Sequence, residues 1–409
     1  MIYYVKKLRS FEGVVMQLRT NKNIIIYIFT ILFSISFIAV GYSINKSEFN
    51  EQEFNKSYKA YVISVEETIQ DETEYGYDSF STTAIRFKAE IKNDELKGSV
   101  VEAYQYIDEI VAVTPKVVQA GDKIIISSLI SRSGEGEEWT FLEYDRSFVL
   151  WGLLLGFFAL IVLFGGKKGI NTIISLIFTC LAVFMVFVPS ILKGNNIYLS
   201  SVIVSIYIIF MSLLIINGAN KKTLCAIVGN LGGLIIAGIL AFIVSNIMHL
   251  TGLIDDDSMF LLMLNTGASI DLKAILWAGI VIGSLGAVMD VSMSIASAMN
   301  ELAENMCERN FKSMLKSGFN IGQDAIGTMT NTLILAYIGS SLSVVLLLMV
   351  NYKDVLLLFN LEMIVFEIIQ AIIGSMGILF AIPITSLFAA YVYNQKKSDN
   401  DKVFKQLND

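Results

Sequence analysis

Several stretches of this 409-residue chain run for about twenty residues with almost no charge, and Ile24–Tyr42 is the clearest. A helix of that length is what crossing ~30 Å of hydrocarbon requires. Within a bilayer every backbone N–H and C=O must be paired inside the segment, so runs of this kind are read as helices. Seven more follow: Phe148–Phe164, Thr172–Leu192, Leu199–Ile216, Leu224–Met248, Ala274–Ala298, Ile326–Val350 and Ile364–Tyr393. Charged residues make up 16% of the chain, against ~25% in soluble domains. The expected fold class is therefore an α-helical polytopic membrane protein of about eight spans. Met259–Leu264 is apolar but too short to cross, and is read as an interfacial or re-entrant piece.

The charges give the expected orientation. Lys6, Lys7, Arg9, Arg19 and Lys22 precede the first span, which reads as an uncleaved anchor because no small-residue cleavage site follows it. Alternating sides along the chain puts 16 Lys and Arg on the side of the N-terminus and three, Lys193, Lys273 and Lys353, in the opposite short loops. Basic loops stay in the cytoplasm. Both termini are thus expected to be cytoplasmic, in a multi-pass protein of the cell membrane.

Residues 43–146 differ in character. They hold 21 acidic and 11 basic residues, and no cysteine. Tyr58–Val65, Thr83–Ile91, Gly98–Tyr106, Lys123–Ile130 and Trp139–Tyr144 read as strands, with Ile85, Phe87 and Ala89 on one face and Arg86, Lys88 and Glu90 on the other. A small β-barrel or sandwich, OB-like in size, is expected there, extracytoplasmic and between spans one and two. The stretch Gln70–Ser81 reads as an acidic, aromatic loop. The expected division is 1–42 leader and anchor, 43–146 β-rich domain, 147–393 seven-span membrane domain and 394–409 cytoplasmic tail.

Within the spans, polar chemistry concentrates on GSLGAVMDVSMSIASAMNE, Gly283–Glu301. Gly283, Gly286, Asp290, Ser294, Ser297 and Glu301 follow steps of three and four, so they share one helix face. An acid deep in a span costs roughly 2.5–3.5 kcal/mol on insertion scales unless it meets water or a partner, which marks Asp290 as the leading candidate. No Lys, Arg or His stands at comparable depth, and the single histidine, His249, falls at a span end. Glu367, Gln370, Gly374 and Gly377 form a similar stripe in the last span, which Pro383 interrupts; Thr328, Asn331 and Thr332 lie within one turn of the seventh. The expected ion or substrate site is Asp290, Ser294, Ser297, Asn331, Thr332, Glu367 and Gln370. The expected helix-packing glycines are Gly283, Gly286, Gly229, Gly233, Gly374 and Gly377.

Other function classes have little support. The metalloprotease H-E-x-x-H, the nucleophile elbow G-x-S-x-G and the P-loop are absent. A single histidine rules out a His-rich metal site, so no metal, cofactor or enzymatic step is expected. No basic patch interleaved with aromatics marks a nucleic-acid partner.

These same segments carry a family resemblance. GAVMDVSMSIASAMNEL at Gly286–Leu302, SGFNIGQDAIGTMTNTLILAYIGSSL at Ser317–Leu342 and the Glu367–Thr385 stretch ending AIPIT resemble the YibE/F-like family of bacterial membrane proteins, over nearly the whole chain. The resemblance implies a multi-pass envelope protein and no particular chemistry. Two roles follow as expectations. One is transport of a small ion or small molecule through the bilayer at the acidic site. The other is an envelope scaffold whose β-rich domain recruits a protein partner.

Overall fold

The computed structural model describes residues 2–46, 56–75, 78–108, 116–130, 137–263, 270–305, 310–351 and 354–394. Residue contacts divide the chain into two compact units, Glu48–Leu160 and, together, Met1–Ser47 with Ile161–Asp409.

The first unit is built on five strands, β1 (Ser57–Tyr75), β2 (Asp78–Ile91), β3 (Val100–Asp108), β4 (Lys123–Ile130) and β5 (Glu137–Tyr144). They pair in the order β1-β2-β3-β5-β4, and β4 returns to β1, so every strand has two neighbours. Only β3 and β5 run parallel. The alternation read from the sequence sets the faces: Val62, Phe87, Ala89, Ala103, Ile124 and Ile126 are fully buried, while Arg86 reaches Glu67 and Glu102 on the opposite face. Gln105 is buried among them with both ends of its amide used, Nε2 donating to the Lys116 carbonyl and Oε1 accepting from Val118 N–H. The expected loop at Gln70–Ser81 is instead ladder over its described parts, 70–75 and 78–81. The β1–β2 register that starts at Ala60↔Ile91 continues through Gln70↔Thr83 to Tyr75↔Asp78.

The second unit is helical. Its elements are α1 (Ile2–Asn45), most of α2 (Ser147–Leu181) with a π-helical turn at Ala182–Phe187 and α3 (Val188–Leu192), then α4 (Ile197–Asn217), α5 (Lys221–Ile247), α6 (Asp256–Met263), α7 (Leu272–Asn305), α8 (Phe311–Ser340), α9 (Leu342–Asn351), α10 (Val355–Leu358) and α11 (Glu362–Tyr393). Asparagines open three of them, since a short amide side chain accepts from an otherwise orphaned N–H. Asn196 caps Leu199, Asn220 caps Thr223 and Asn310 caps Lys312.

Among the described residues, six helices are long and apolar enough to cross a membrane, or seven if α8 and α9 count as one bent span. The sequence predicts eight. The difference lies first in Ser147–Leu192, which is one helical run of 46 residues rather than two separated helices. It is broken at Gly166, whose φ of 54° and ψ of −131° are not helical. A Cβ on Gly169 would collide with the Ile161 carbonyl, so the chain folds back sharply there. The second difference is at Ser341, where α8 and α9 meet at 59°. The Ser340 hydroxyl bonds back to the Tyr337 carbonyl at 2.8 Å beside this bend. Met259–Met263 falls in α6, a helix of eight residues. Leu264 lies outside the described residues.

Candidate functional site

Three helices, α5, α7 and α11, make a core by bringing small residues together. A Cβ on Gly233 would stand 2.7 Å from the Gly377 carbonyl and 3.0 Å from Val288. A Cβ on Gly377 would stand 3.2 Å from Val288 and 3.3 Å from Ala237. Gly229 is occupied by Thr385 and Ser292, and Gly374 by Leu333 at 3.1 Å. Each of these four glycines faces a neighbouring helix at close range. Trp277 adds a directed bond, its Nε1 donating to the Gly238 carbonyl at 2.8 Å.

Gly286 corrects the helix-packing expectation. Nothing lies within 4 Å of where its Cβ would be. It falls on the side of α7 turned away from α5, an exposed stripe with Gly283, Asp290, Ser294 and Glu301. Gly283 on the same stripe is approached by polar groups instead of a helix backbone. Its Cβ would stand 3.0 Å from the Tyr337 hydroxyl and 3.4 Å from the Gln370 amide nitrogen. Tyr337 in turn is hydrogen-bonded to the Gln370 side chain and feels the charge of Glu367. Gly283, Tyr337 and Gln370 therefore form one polar junction of α7, α8 and α11, with Glu367 within electrostatic reach.

Asp290 stands apart from that junction. It is seven residues beyond Gly283, or ~10 Å further along the same face at ~1.5 Å per residue. Glu367 is in the second turn of α11 and belongs to the upper level. The structure thus separates the two acids. Helices α7 and α8 run antiparallel, since Gly283 meets Tyr337 while Met299 meets Gly318. Counting along both from those contacts sets Asp290 level with Thr328–Thr330. Thr330 has a buried Oγ1 with no hydrogen-bond partner among the described residues. Asn331 and Thr332 are exposed on α8; the Thr332 hydroxyl is spent on the Thr328 carbonyl at 2.8 Å. Ser294 is exposed and Ser297 half-buried, one and two turns below Asp290.

Asp290 lies near the midpoint of the 34-residue α7. Ion pairs among the described residues all fall between Lys56 and Arg146, so none of them neutralises it. No described group of three His, Cys, Asp or Glu has the arrangement of a metal site.

Three residues escaped the sequence reading. Tyr337 and Thr330 are two turns apart on one face of α8, a signal hidden by the intervening apolar residues. The third is Glu362, in the first turn of α11. Its carboxylate accepts from Thr251 N–H and Gly252 N–H, both at 2.6 Å, and from the Thr251 hydroxyl at 2.8 Å, clasping the turn after α5 to the start of α11.

The family of these helices follows from a direct comparison. The YibE/F-like protein family model matches residues 153–395. The chain belongs to the YibE/F-like family. The match takes in the α5–α7–α11 core, the polar junction and Asp290. It begins after the strands, so the anchor and the β-sheet lie outside the matched residues, a narrower extent than the resemblance implied. Comparison with curated proteins and with solved structures finds no match.

Proposed function

We propose that this YibE/F-like protein is a multi-pass protein of the cell membrane that moves a small ion or small molecule, with Asp290 as the acid that takes part. The observation that carries this reading is the position of Asp290. It is mid-helix in a segment of spanning length, on an exposed polar face, with no cationic partner among the described residues. A lipid-facing carboxylate is costly, whereas one that lines a hydrated groove between α7 and α8 is not. The groove would be walled by Thr330 and Asn331 and closed at one end by Tyr337, Gln370 and Glu367.

Eight crossings complete the reading, with the 46-residue run divided at Gly166 and α8–α9 taken as one broken span. Alternating sides then puts the loop before α5, the end of α7 and the end of α11 on one side. A shared cleft lined by Asn220, Asn300 and Tyr393 supports that. Both termini are assigned to the cytoplasm, and the β-sheet, as a small OB-like barrel, to the outside. The activity needs no cofactor, and the reading includes no enzymatic step.

The test is charge movement in liposomes holding the full chain, under imposed proton, sodium, potassium and magnesium gradients. Current in the wild type that disappears in folded Asp290→Asn is expected. Current that persists unchanged in that variant removes Asp290 from the mechanism.

A second reading rests on the separate contact unit formed by the strands, with its own buried core. As an envelope scaffold, the protein would hold a protein partner on this sheet. Copurification that depends on residues 43–146 and survives Asp290→Asn is its signature.

A further inference from the structure

At the end of the bundle where α4 gives way to α5, a cleft of about 400 Å³ is lined by Asn220, Lys221, Lys222, Asn300, Glu304 and Tyr393. Its neutral polar groups are already occupied. The Tyr393 hydroxyl donates to Asn300 Oδ1 at 2.9 Å, and Asn300 Nδ2 donates to Glu304 Oε1 at 2.8 Å. Asn220 Oδ1 accepts from Thr223 N–H, and its Nδ2 donates to the Asn217 carbonyl. The groups left over are the two ammoniums. Neither Lys221 nor Lys222 makes an ion pair among the described residues, although Glu304 shares their cleft. Two cations and one carboxylate leave a net charge of +1.

We propose that this cleft binds a phosphodiester monoanion, the headgroup of an anionic phospholipid or a soluble molecule of the same chemistry. The charge matches: a phosphodiester carries −1, where a phosphomonoester would carry nearly −2 at neutral pH. On the proposed membrane topology the cleft, where α5 begins and α7 and α11 end, falls at the level of lipid phosphates, and basic pockets between spans are a recurrent way of holding anionic headgroups. The positive end of the α5 dipole adds to the lysines.

The experiment is native mass spectrometry of the full chain taken from bilayers of phosphatidylcholine mixed with phosphatidylglycerol. Selective retention of phosphatidylglycerol is expected. It should weaken at least about tenfold in Lys221→Gln/Lys222→Gln, at roughly 1 kcal/mol for each lysine near the surface. Lys167→Gln/Lys168→Gln, a lysine pair outside the cleft, should leave it unchanged. Glu304→Gln keeps the acceptor for Asn300, removes the negative charge and should tighten retention. Calorimetry with glycerophosphoglycerol on the detergent-solubilised protein separates the sources. Binding with the same lysine dependence assigns a soluble phosphodiester, and no binding there with lipid still retained assigns the headgroup. Equal retention of the two lipids, or unchanged retention in the double glutamine variant, overturns the proposal. Should that variant not fold, Glu304→Gln decides alone: retention no tighter than wild type overturns it.

Discussion

The two faces of α7 obey opposite rules. Toward α5 and α11 the helix offers Ser284, Val288 and Ser292, all fully buried, and meets glycines that have no room for a side chain. On the other side Gly286 meets nothing, and Asp290 is exposed. Glycine is thus used for two different ends along one helix pair. In the core it permits backbone contact, where packing rather than the hydrophobic effect holds membrane helices together. On the open face it keeps space clear beside an acid. The comparison teaches that a glycine stripe alone does not say which end it serves.

That contrast can be broken most severely in the core. Gly233→Leu drives a side chain into the Gly377 carbonyl and Val288, and Gly286→Leu meets open space. The first should leave little folded protein, as overpacking costs ~1–3 kcal/mol or more, while the second should melt within a degree or two (roughly) of wild type. Thermal unfolding of both in detergent checks this; similar losses would mean the open face is covered after all. Asp290→Asn should retain wild-type melting and lose all current. Glu362→Gln removes a charged acceptor from three donors and should cost about 1.5–3 kcal/mol locally. Faster hydrogen exchange at Thr251 and Gly252, with the core unchanged, is the expected result. Trp277→Phe forfeits one bond to Gly238 and should cost about 1 kcal/mol in the same melting assay.

The smallest effect belongs to the sheet and depends on pH. For Asp122, burial alone would raise the pKa, but bonds from Lys116 Nζ and Gln119 N–H hold it below the ordinary aspartate value. For Asp145, bonds from Ser147 dominate over the opposing effect of burial, Lys59 adds to them, and the pKa is again lowered. Depressed folded values mean that both carboxylates contribute stability above the unfolded pKa of about 3.9. That stability fades as pH falls through the lower folded values. Hydrogen exchange at Lys123–Ile126 should therefore quicken only below about pH 4. Quickening that begins near neutrality would point to a different group.

Much of this was legible from residues alone. Span-length apolar runs placed α1, α4, α5, α7 and α11, because hydrocarbon thickness sets a helix length that composition displays directly. Alternation placed β2, since a pleated strand shows its two faces at every second residue, and β-forming composition and a turn signal placed the other strands. The mid-helix position of Asp290 was legible too, from the count of apolar residues on either side. What the sequence did not decide was which stripes face each other. Spacing puts Gly283, Gly286 and Asp290 on one face, but whether a neighbour fills that face depends on how α8 leans between α7 and α11. The same holds for Glu367 and Asp290. Each reads as an acid in a span, and only the register between α7 and α11 sets them ~10 Å or more apart. Thr330, Tyr337 and the Glu362 clasp depend on contacts between residues distant in the chain, and one sequence carries no record of those distances. Helix existence is a local property of the chain and the solvent; helix adjacency is a property of the packed bundle.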